Sequence, residues 1–281
     1  MTKIEWCNET INPIQDSIKG ESGRGYHLPF DGRKAEFELI QSELEKLAKW
    51  KKPRSIFVQS MGDLFHEDMP FDLIYAITKL AQTHTAYHTD HHTYLFLTKR
   101  HDNLIKYIDY SRWNEKPERN VYLGLTVCTQ QEWDDKGKLF MQIPGNKFLS
   151  LEPLLEEIKL KGSGCQWCFG SGVNPASGTP CPQCFDIQGV ILGGETGPKA
   201  RPMHPDWVRS VRDQCEQAGV PFFFKGWGEW GHGSQYSELK KVKRWEWAGE
   251  GHAAAIMARI GKKAAGRILD GSTHDDLPWI V

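Results

Sequence analysis

The sequence predicts an α/β fold: an open or closed parallel β/α barrel with a small cysteine-rich insert. Three observations predict it. Near-continuous apolar runs rich in β-branched and aromatic residues alternate with stretches of helical spacing, the pattern of a parallel sheet buried on both faces. The runs end in polar, reactive side chains, and in β/α barrels such residues collect at the C-terminal strand ends. The length, 281 residues, suits one large barrel or about two domains.

The elements follow in order. A weak strand lies near Ile4 to Ile11. Ser55 to Gln59 is the first clear strand, and Phe71 to Gln82 then has helical spacing. Thr93 to Leu97 is the second, with a helix over Asn103 to Tyr110. Val121 to Val127 is the third, followed by a polar helix over Gln130 to Met141. Lys147 to Leu151 is the fourth. Gly189 to Leu192 is the fifth, with a helix over Trp207 to Ala218, and Pro221 to Phe224 is the sixth. The barrel is expected over residues 1–230 with the insert at 161–188, and residues 231–281 form an extension packed on it.

The strand ends carry the candidate chemistry. The first runs into Gln59, Ser60, Asp63 and His66, and the second ends at Thr98, Lys99 and Arg100. The third ends at Thr126 and Cys128, the fourth at Ser150 and Glu152. The fifth ends at Gly193-Gly194-Glu195-Thr196 and the sixth at Lys225. Acids and bases at so many ends exceed what a solvated loop requires. Asp63, His66, Lys99, Glu152 and Lys225 are the candidates for acid–base work, and Ser60, Thr98, Arg100 and Glu195 for ligand contact. The Gly193-Gly194 pair lets a ligand approach the backbone closely, or simply makes a tight turn.

Composition narrows the function classes. Hydrophobic residues are 39% and charged residues 25%, as in a folded soluble chain rather than a disordered one. The net charge of −1 gives no global field for nucleic acid or anionic membrane, so any nucleic-acid site is a local patch. No apolar run approaches the roughly 18 residues of a membrane span. Met1 to Glu5 shows no apolar signal-peptide core, which points to the cytoplasm.

Four of the seven cysteines form one pattern, Cys165-x2-Cys168, twelve residues, Cys181-x2-Cys184. Each pair makes a knuckle with two thiolates on one side, and two knuckles make the tetrahedral sulfur cage of a structural zinc site. The intervening Gly, Ser, Asn and Pro bury no core, so metal would supply the folding energy there. A rubredoxin-like iron uses the same ligands, and two disulfides are the bland alternative. His84, His88, His91 and His92 crowd one segment, read as a solvated loop. Phe222 to Trp230 is dense in aromatics that stack a base or close the barrel. Lys240, Lys241, Lys243 and Arg244 beside Trp245 and Trp247 suit stacked bases on a phosphate backbone, but an exposed hairpin is the stronger reading.

Longer stretches now become specific: Lys3-Ile4-Glu5-Trp6, Asn12-Pro13, Phe57 to His66, Leu97 to Arg100, Leu123-Gly124 and Ser150 to Leu154. They continue with Gly193 to Gly197, Ala200 to Pro205, Phe223 to Gly228 and Gly266 to Gly271. Together they resemble the uncharacterised phage and prophage proteins of the gp thirty-seven/gp sixty-eight family, a distant branch of the radical-SAM barrels. The resemblance spans nearly the whole chain. It implies a partial barrel of the radical-SAM type in the cytoplasm of a bacterial host, and it extends the ligand contacts to Arg201, His204 and Trp227.

Members of that family look to carry three cysteines after the first strand, holding a [4Fe–4S] cluster whose open iron binds S-adenosylmethionine. This sequence has no cysteine between Cys7 and Cys128. The cluster loop is expected to be missing between His27 and Leu28. A second register puts Ser17, Arg24 and His27 where the cysteines would be, and that set does not replace three thiolates. The leading expectation is a radical-SAM-like barrel that has lost its cluster and retains a site for S-adenosylmethionine or a nucleotide. There Lys99 and Arg201 would meet an anionic group and Glu195 a ribose or amino group. The alternatives are a zinc-containing nucleic-acid-binding protein without catalysis, and an active radical-SAM enzyme acting on a nucleic acid or nucleotide. The oligomeric state is not readable.

Overall fold

The structure is a computed structural model that describes residues 7, 9–16, 37–60, 62–87, 92–113, 119–160, 186–232, 242–249 and 251–279. Cys165, Cys168, Cys181 and Cys184 lie outside the described residues, as do His88, His91, Lys240, Lys241 and the stretch holding Ser17, Arg24 and His27. The fold is α/β. Its parallel sheet has seven strands: β1 (Glu9–Ile11), β4 (Ser55–Val58), β5 (Thr93–Thr98), β6 (Val121–Thr126), β7 (Asn146–Leu151), β8 (Gly189–Gly193) and β9 (Phe222–Gly226), paired in that order. Neighbours in sequence are neighbours in the sheet, as a β/α barrel requires. Among the described residues no helix is long and apolar enough to cross a membrane.

The chain divides into two compact units. One comprises Cys7–Leu125, Gln142–Lys147 and Trp279–Val281, the other Met1–Trp6, Thr126–Met141 and Phe148–Pro278. In the first, β1, β4, β5 and β6 run parallel in the registers Glu9↔Ile56, Ser55↔Thr93 and Tyr94↔Val121. Helices α2 (Phe71–Tyr87) and α3 (His101–Ser111) follow β4 and β5. Phe71 and Tyr107 meet edge-on at 5.9 Å, and Thr78 Oγ1 lies 2.5 Å from the Tyr107 hydroxyl. Burial of that hydroxyl pushes the Tyr107 pKa up to about 12. An antiparallel pair, β2 (Ile14–Asp16) and β3 (Phe37–Leu39), precedes α1 (Gln41–Lys49). Lys147 is fully buried, and its Nζ donates to the Ile143 and Gly145 carbonyls at 2.7 and 3.1 Å. The Trp279 carbonyl accepts from the Ser55 hydroxyl, and its ring meets Tyr122 at 4.9 Å.

Strand β4 ends by a side-chain device. Gln59 is buried at φ +62°, where a residue with a Cβ is strained. Its backbone N–H donates to Ile11 at 2.8 Å, while its amide accepts from Ile14 N–H at 3.1 Å and donates to the Ile14 carbonyl at 3.2 Å. The amide thus takes the place of a strand neighbour for the residue beyond β1.

In the second unit β7, β8 and β9 run parallel in the registers Phe148↔Gly189 and Val190↔Phe222. All five residues of β8 are buried, as expected of an apolar strand covered on both faces. Helix α4 (Gln130–Met141) starts where Thr129 Oγ1 accepts the Glu132 N–H at 3.2 Å. Helix α5 (Pro205–Ala218) has His204 as N-cap, Pro205 in its first turn and Gly219 past its end at φ +68°. Its inner face is Val208, Val211 and Cys215, at helical spacing. A second sheet is antiparallel, with β12 (Ala255–Arg259) between β10 (Trp230–His232) and β11 (Arg244–Trp247). A short α6 (Lys262–Ala265) follows.

The described structure departs from the sequence expectations in two places around the histidines. Helix α2 runs on to Tyr87, so His84 lies in a helix rather than a solvated loop. His92 is buried, its ring edge-on to Trp50 at 6.1 Å and Tyr94 at 6.3 Å. The basic Trp stretch contributes β11, mostly exposed and paired antiparallel with the next strand, β12, in keeping with the exposed-hairpin reading.

Replacing Gln59 by glycine tests whether its amide outweighs its backbone strain. Relief of the positive φ is worth about 1–2 kcal/mol, but two buried backbone groups of Ile14 lose partners at about 1–3 kcal/mol each. Urea unfolding should show Gln59→Gly less stable than wild type.

Candidate functional site

The second unit brings two oppositely charged pairs to the C-terminal strand ends. Glu152 follows β7, Lys225 lies in β9, and Gly193 ends β8 between them. Pairing passes from Leu192↔Phe224 to Gly193↔Gly226, so Lys225 is the extra residue of a bulge. A bulge re-aims the side chain it carries. Lys225 Nζ then meets Glu152 Oε2 at 2.5 Å, with the lysine side chain 42% and the glutamate 18% exposed. Ser150 Oγ donates to the other oxygen, Oε1, at 3.3 Å. A Cβ on Gly193 would stand 3.2 Å from Glu152 Oε2 and 3.5 Å from Lys225 Cβ, so glycine keeps the space beneath the pair clear.

The loop after β8 carries the second pair. Arg201 grips Glu195 through Nε at 2.8 Å, Nη2 at 2.9 Å and its backbone N–H at 2.7 Å. This fork geometry is the strong form of the carboxylate–guanidinium bond. The Arg201 hydrogen bonds hold the Glu195 carboxyl below its usual range. The Arg201 side chain is still 59% exposed, so its outer face is open to solvent.

Two glycines set this loop against the one after β9. A Cβ on Gly194 would stand 2.1 Å from the Trp227 carbonyl oxygen, and one on Gly228 2.2 Å from the Glu195 oxygen. Gly194 N–H donates to Gly226 at 2.9 Å and Glu229 N–H to Glu195 at 3.0 Å. Further support comes from Arg259, which donates to the Gly197 carbonyl at 2.8 Å, and from the Trp230 indole, which donates to Ala200 at 2.8 Å. Trp227, expected at the ligand, is buried; its indole donates to Ile268 at 2.9 Å and its ring abuts Phe224 at 5.0 Å. It is a wall of the loop rather than an exposed stacking surface.

The first unit gathers the other candidates. The Asp63 carboxylate accepts from Thr98 Oγ1 at 2.7 Å, Lys99 N–H at 2.8 Å and Phe65 N–H at 3.0 Å. Thr98 Oγ1 in turn accepts the Arg100 N–H at 2.8 Å. These bonds commit Asp63 and Thr98 to shaping the ends of β4 and β5. Lys99 and Arg100 are exposed at the start of α3, Arg100 beside Glu67 at 3.2 Å. His66 Nδ1 accepts the Asp68 N–H at 3.2 Å, and Ser60 donates to Asn12 at 3.1 Å.

A family model matches residues 17–278 of this chain, under the description protein of unknown function (DUF5131). The chain belongs to DUF5131. No curated protein and no solved structure matches it.

In this DUF5131 chain, His204 was expected at the ligand, but it is fully buried and both ring nitrogens are engaged, with Asp206 N–H at 3.0 Å and the Ala253 carbonyl at 3.0 Å. His204, Asp206 and His252 have donor atoms within 4.8 Å of one another. Backbone or indole N–H groups already occupy the His204 and His252 lone pairs, and Arg209 holds Asp206 at 2.8 Å, so the trio is a hydrogen-bonded box rather than a cation cage. Sequence reasoning passed over the neighbouring network. Asp270, at φ +50°, takes three bonds from Arg209 at 2.7–3.1 Å and one from Arg212 at 2.7 Å. Arg209 and Arg212 stand at i, i+3, the only hint that they share a partner. These arginines depress the Asp270 pKa to about 2. As for cluster ligands, Cys215 faces the core of α5 and burial pushes its thiol up to about 12, so it is no thiolate.

Two outcomes follow. Gly194→Ala should lower stability by about 1–3 kcal/mol in thermal unfolding, because backbone on the facing loop cannot yield as a side chain would. Asp270 has a depressed pKa, so its ion pairs stabilise the fold above its unfolded value near 4 and are lost as pH falls toward 2. The Asp270→Asn variant should therefore show a flatter loss of stability over that acid window.

Proposed function

We propose that this protein is a phage-type, radical-SAM-like barrel that works without a [4Fe–4S] cluster and binds S-adenosylmethionine or a nucleotide-like molecule at the C-terminal strand ends. The observation that carries this reading is the Glu152–Lys225 pair over Gly193, with the largely exposed Arg201 side chain on the loop that follows Gly193. An ammonium or ribose hydroxyl of a ligand would replace Lys225 on Glu152. The released Lys225 and the outer face of Arg201 would take a carboxylate or phosphate. Glu195 orients Arg201, and Lys225 and Glu152 are placed to give and take a proton.

The cluster does not fit these residues. It needs three neighbouring thiolates; no cysteine lies between Cys7 and Cys128, and Cys215 is buried as a thiol. No step is assigned to it. The four cysteines of the insert suit zinc by their spacing and are assigned a structural role.

A second reading, nucleic-acid binding, is favoured by one observation. Trp245 is 47% exposed on edge strand β11, next to exposed Lys243 and Arg244. Base stacking with phosphate contacts would need such a surface.

Titration calorimetry with S-adenosylmethionine and ATP tests the first reading. Wild type should bind one of them, and Glu152→Gln and Arg201→Ala should each weaken that binding about tenfold or more, the worth of a charge-assisted hydrogen bond. Absence of binding by wild type, or binding unchanged in both variants, overturns it; binding of single-stranded nucleic acid that weakens with salt then supports the second. Elemental analysis of protein purified without oxygen should give about one zinc per chain and no iron. Iron with sulfide would restore the cluster.

A further inference from the structure

Two imidazoles fasten the segment before β12 to the start of α5. His204 Nδ1 accepts the Asp206 N–H, so its Nε2 carries the proton and donates to the Ala253 carbonyl at 3.0 Å. His252 Nε2 lies 3.2 Å from the Trp207 indole Nε1, which can only donate, so this nitrogen is also unprotonated. The two imidazole rings lie 5.1 Å apart, and Trp247 of β11 stands edge-on to His204 at 4.8 Å. Asp206 Oδ2 completes the closure by accepting the Ala253 N–H at 3.0 Å. Each histidine is therefore held as an acceptor by a donor that cannot turn round.

We infer that His204 is the proton-sensitive member of a latch, built with His252, that holds Ala253 and the Trp247 end of β11 on α5 and releases them in mild acid. A proton on His204 Nδ1 confronts the Asp206 N–H, a donor that cannot turn round. Burial holds His204 below the ordinary histidine range. Among the described residues the charged groups around it are few. Asp206, 4.0 Å from His204 Nδ1, favours the cation but is already shared between Arg209 and Ala253. Arg209 and His252 oppose it, while Trp207 and Trp247 bring no charge. On β10, burial likewise lowers the His232 pKa, with Arg209 next in effect. The closed form binds fewer protons than the open one, so opening grows as pH falls below about 6.5.

The latch bears on the strand-end loop, because β10 and β12 carry Trp230 and Arg259, the donors to Ala200 and Gly197. It does not depend on which ligand, if any, binds there.

Hydrogen exchange on the full chain, corrected for the intrinsic effect of pH, tests it between about pH 7.5 and pH 5.5. Peptides containing β11 and Ala253 should lose roughly tenfold more protection in acid than those of β8 and β9. His204→Asn keeps an acceptor but takes up no proton and should abolish that loss, and His204→Gln makes the same test if the asparagine variant does not fold. Equal protection at both pH values overturns the latch, as does an acid response that survives replacement of His204. Zinc that protects the wild-type segment at neutral pH but not the variant also overturns it, since the trio would then be a metal site.

Discussion

Backbone presses on backbone where the loop after β8 passes the loop after β9, and the geometry of the strand ends depends on that approach. Neither Gly194 nor Gly228 has room for a single carbon beyond its main chain. The closeness lets peptide groups pair directly, Gly194 with Gly226 and Glu229 with Glu195, leaving Glu195 little freedom. It also leaves Trp227 no way to turn outward, since its indole is spent on Ile268. The polar residues of this region thus sit on a rigid floor, and rigid floors are where binding groups gain from preorganisation.

The charged groups divide by how fully they are committed. Asp63 has three donors and Asp270 four bonds from two arginines, so both act on the chain itself. Glu152 and Lys225 hold each other across a glycine, with the lysine part-exposed and the carboxylate mostly covered. A ligand group that took the place of one partner would have to restore the charge on the other. Arg201 is intermediate, pinned along one edge by Glu195 and open along the other.

Much of this was legible in the sequence. The apolar runs at Ser55, Thr93, Val121, Lys147, Gly189 and Phe222 are strands within a residue or two, because burial on both faces leaves an unbroken apolar run. Glu152, Glu195 and Lys225 were marked by following those runs. The pairing of Glu152 with Lys225 was not, because it turns on a bulge that no local pattern announces. The β2–β3 pair and β10 were missed, since three-residue strands show no period, and the five-residue β12 was missed with them. His204 and Trp227 were read as ligand contacts; their side chains are consumed by distant carbonyls, Ala253 and Ile268, which only the fold brings near. His92 was placed in water because its neighbours in sequence are polar, whereas Trp50 and Tyr94 enclose it.

The bond between Ser55 and Trp279 spans 224 positions of chain. The unit that opens with Cys7 takes strands from the first half, a stretch at 142–147 and lastly Trp279. On a ribosome, where N-terminal parts emerge first, that unit stays unfinished until residue 279 is made. Its early strands must then wait without their last cover around Ser55 and Tyr122, and contacts of such long separation close slowly. Nascent chains of this protein should accordingly lean on chaperones for longer than a unit contiguous in sequence would.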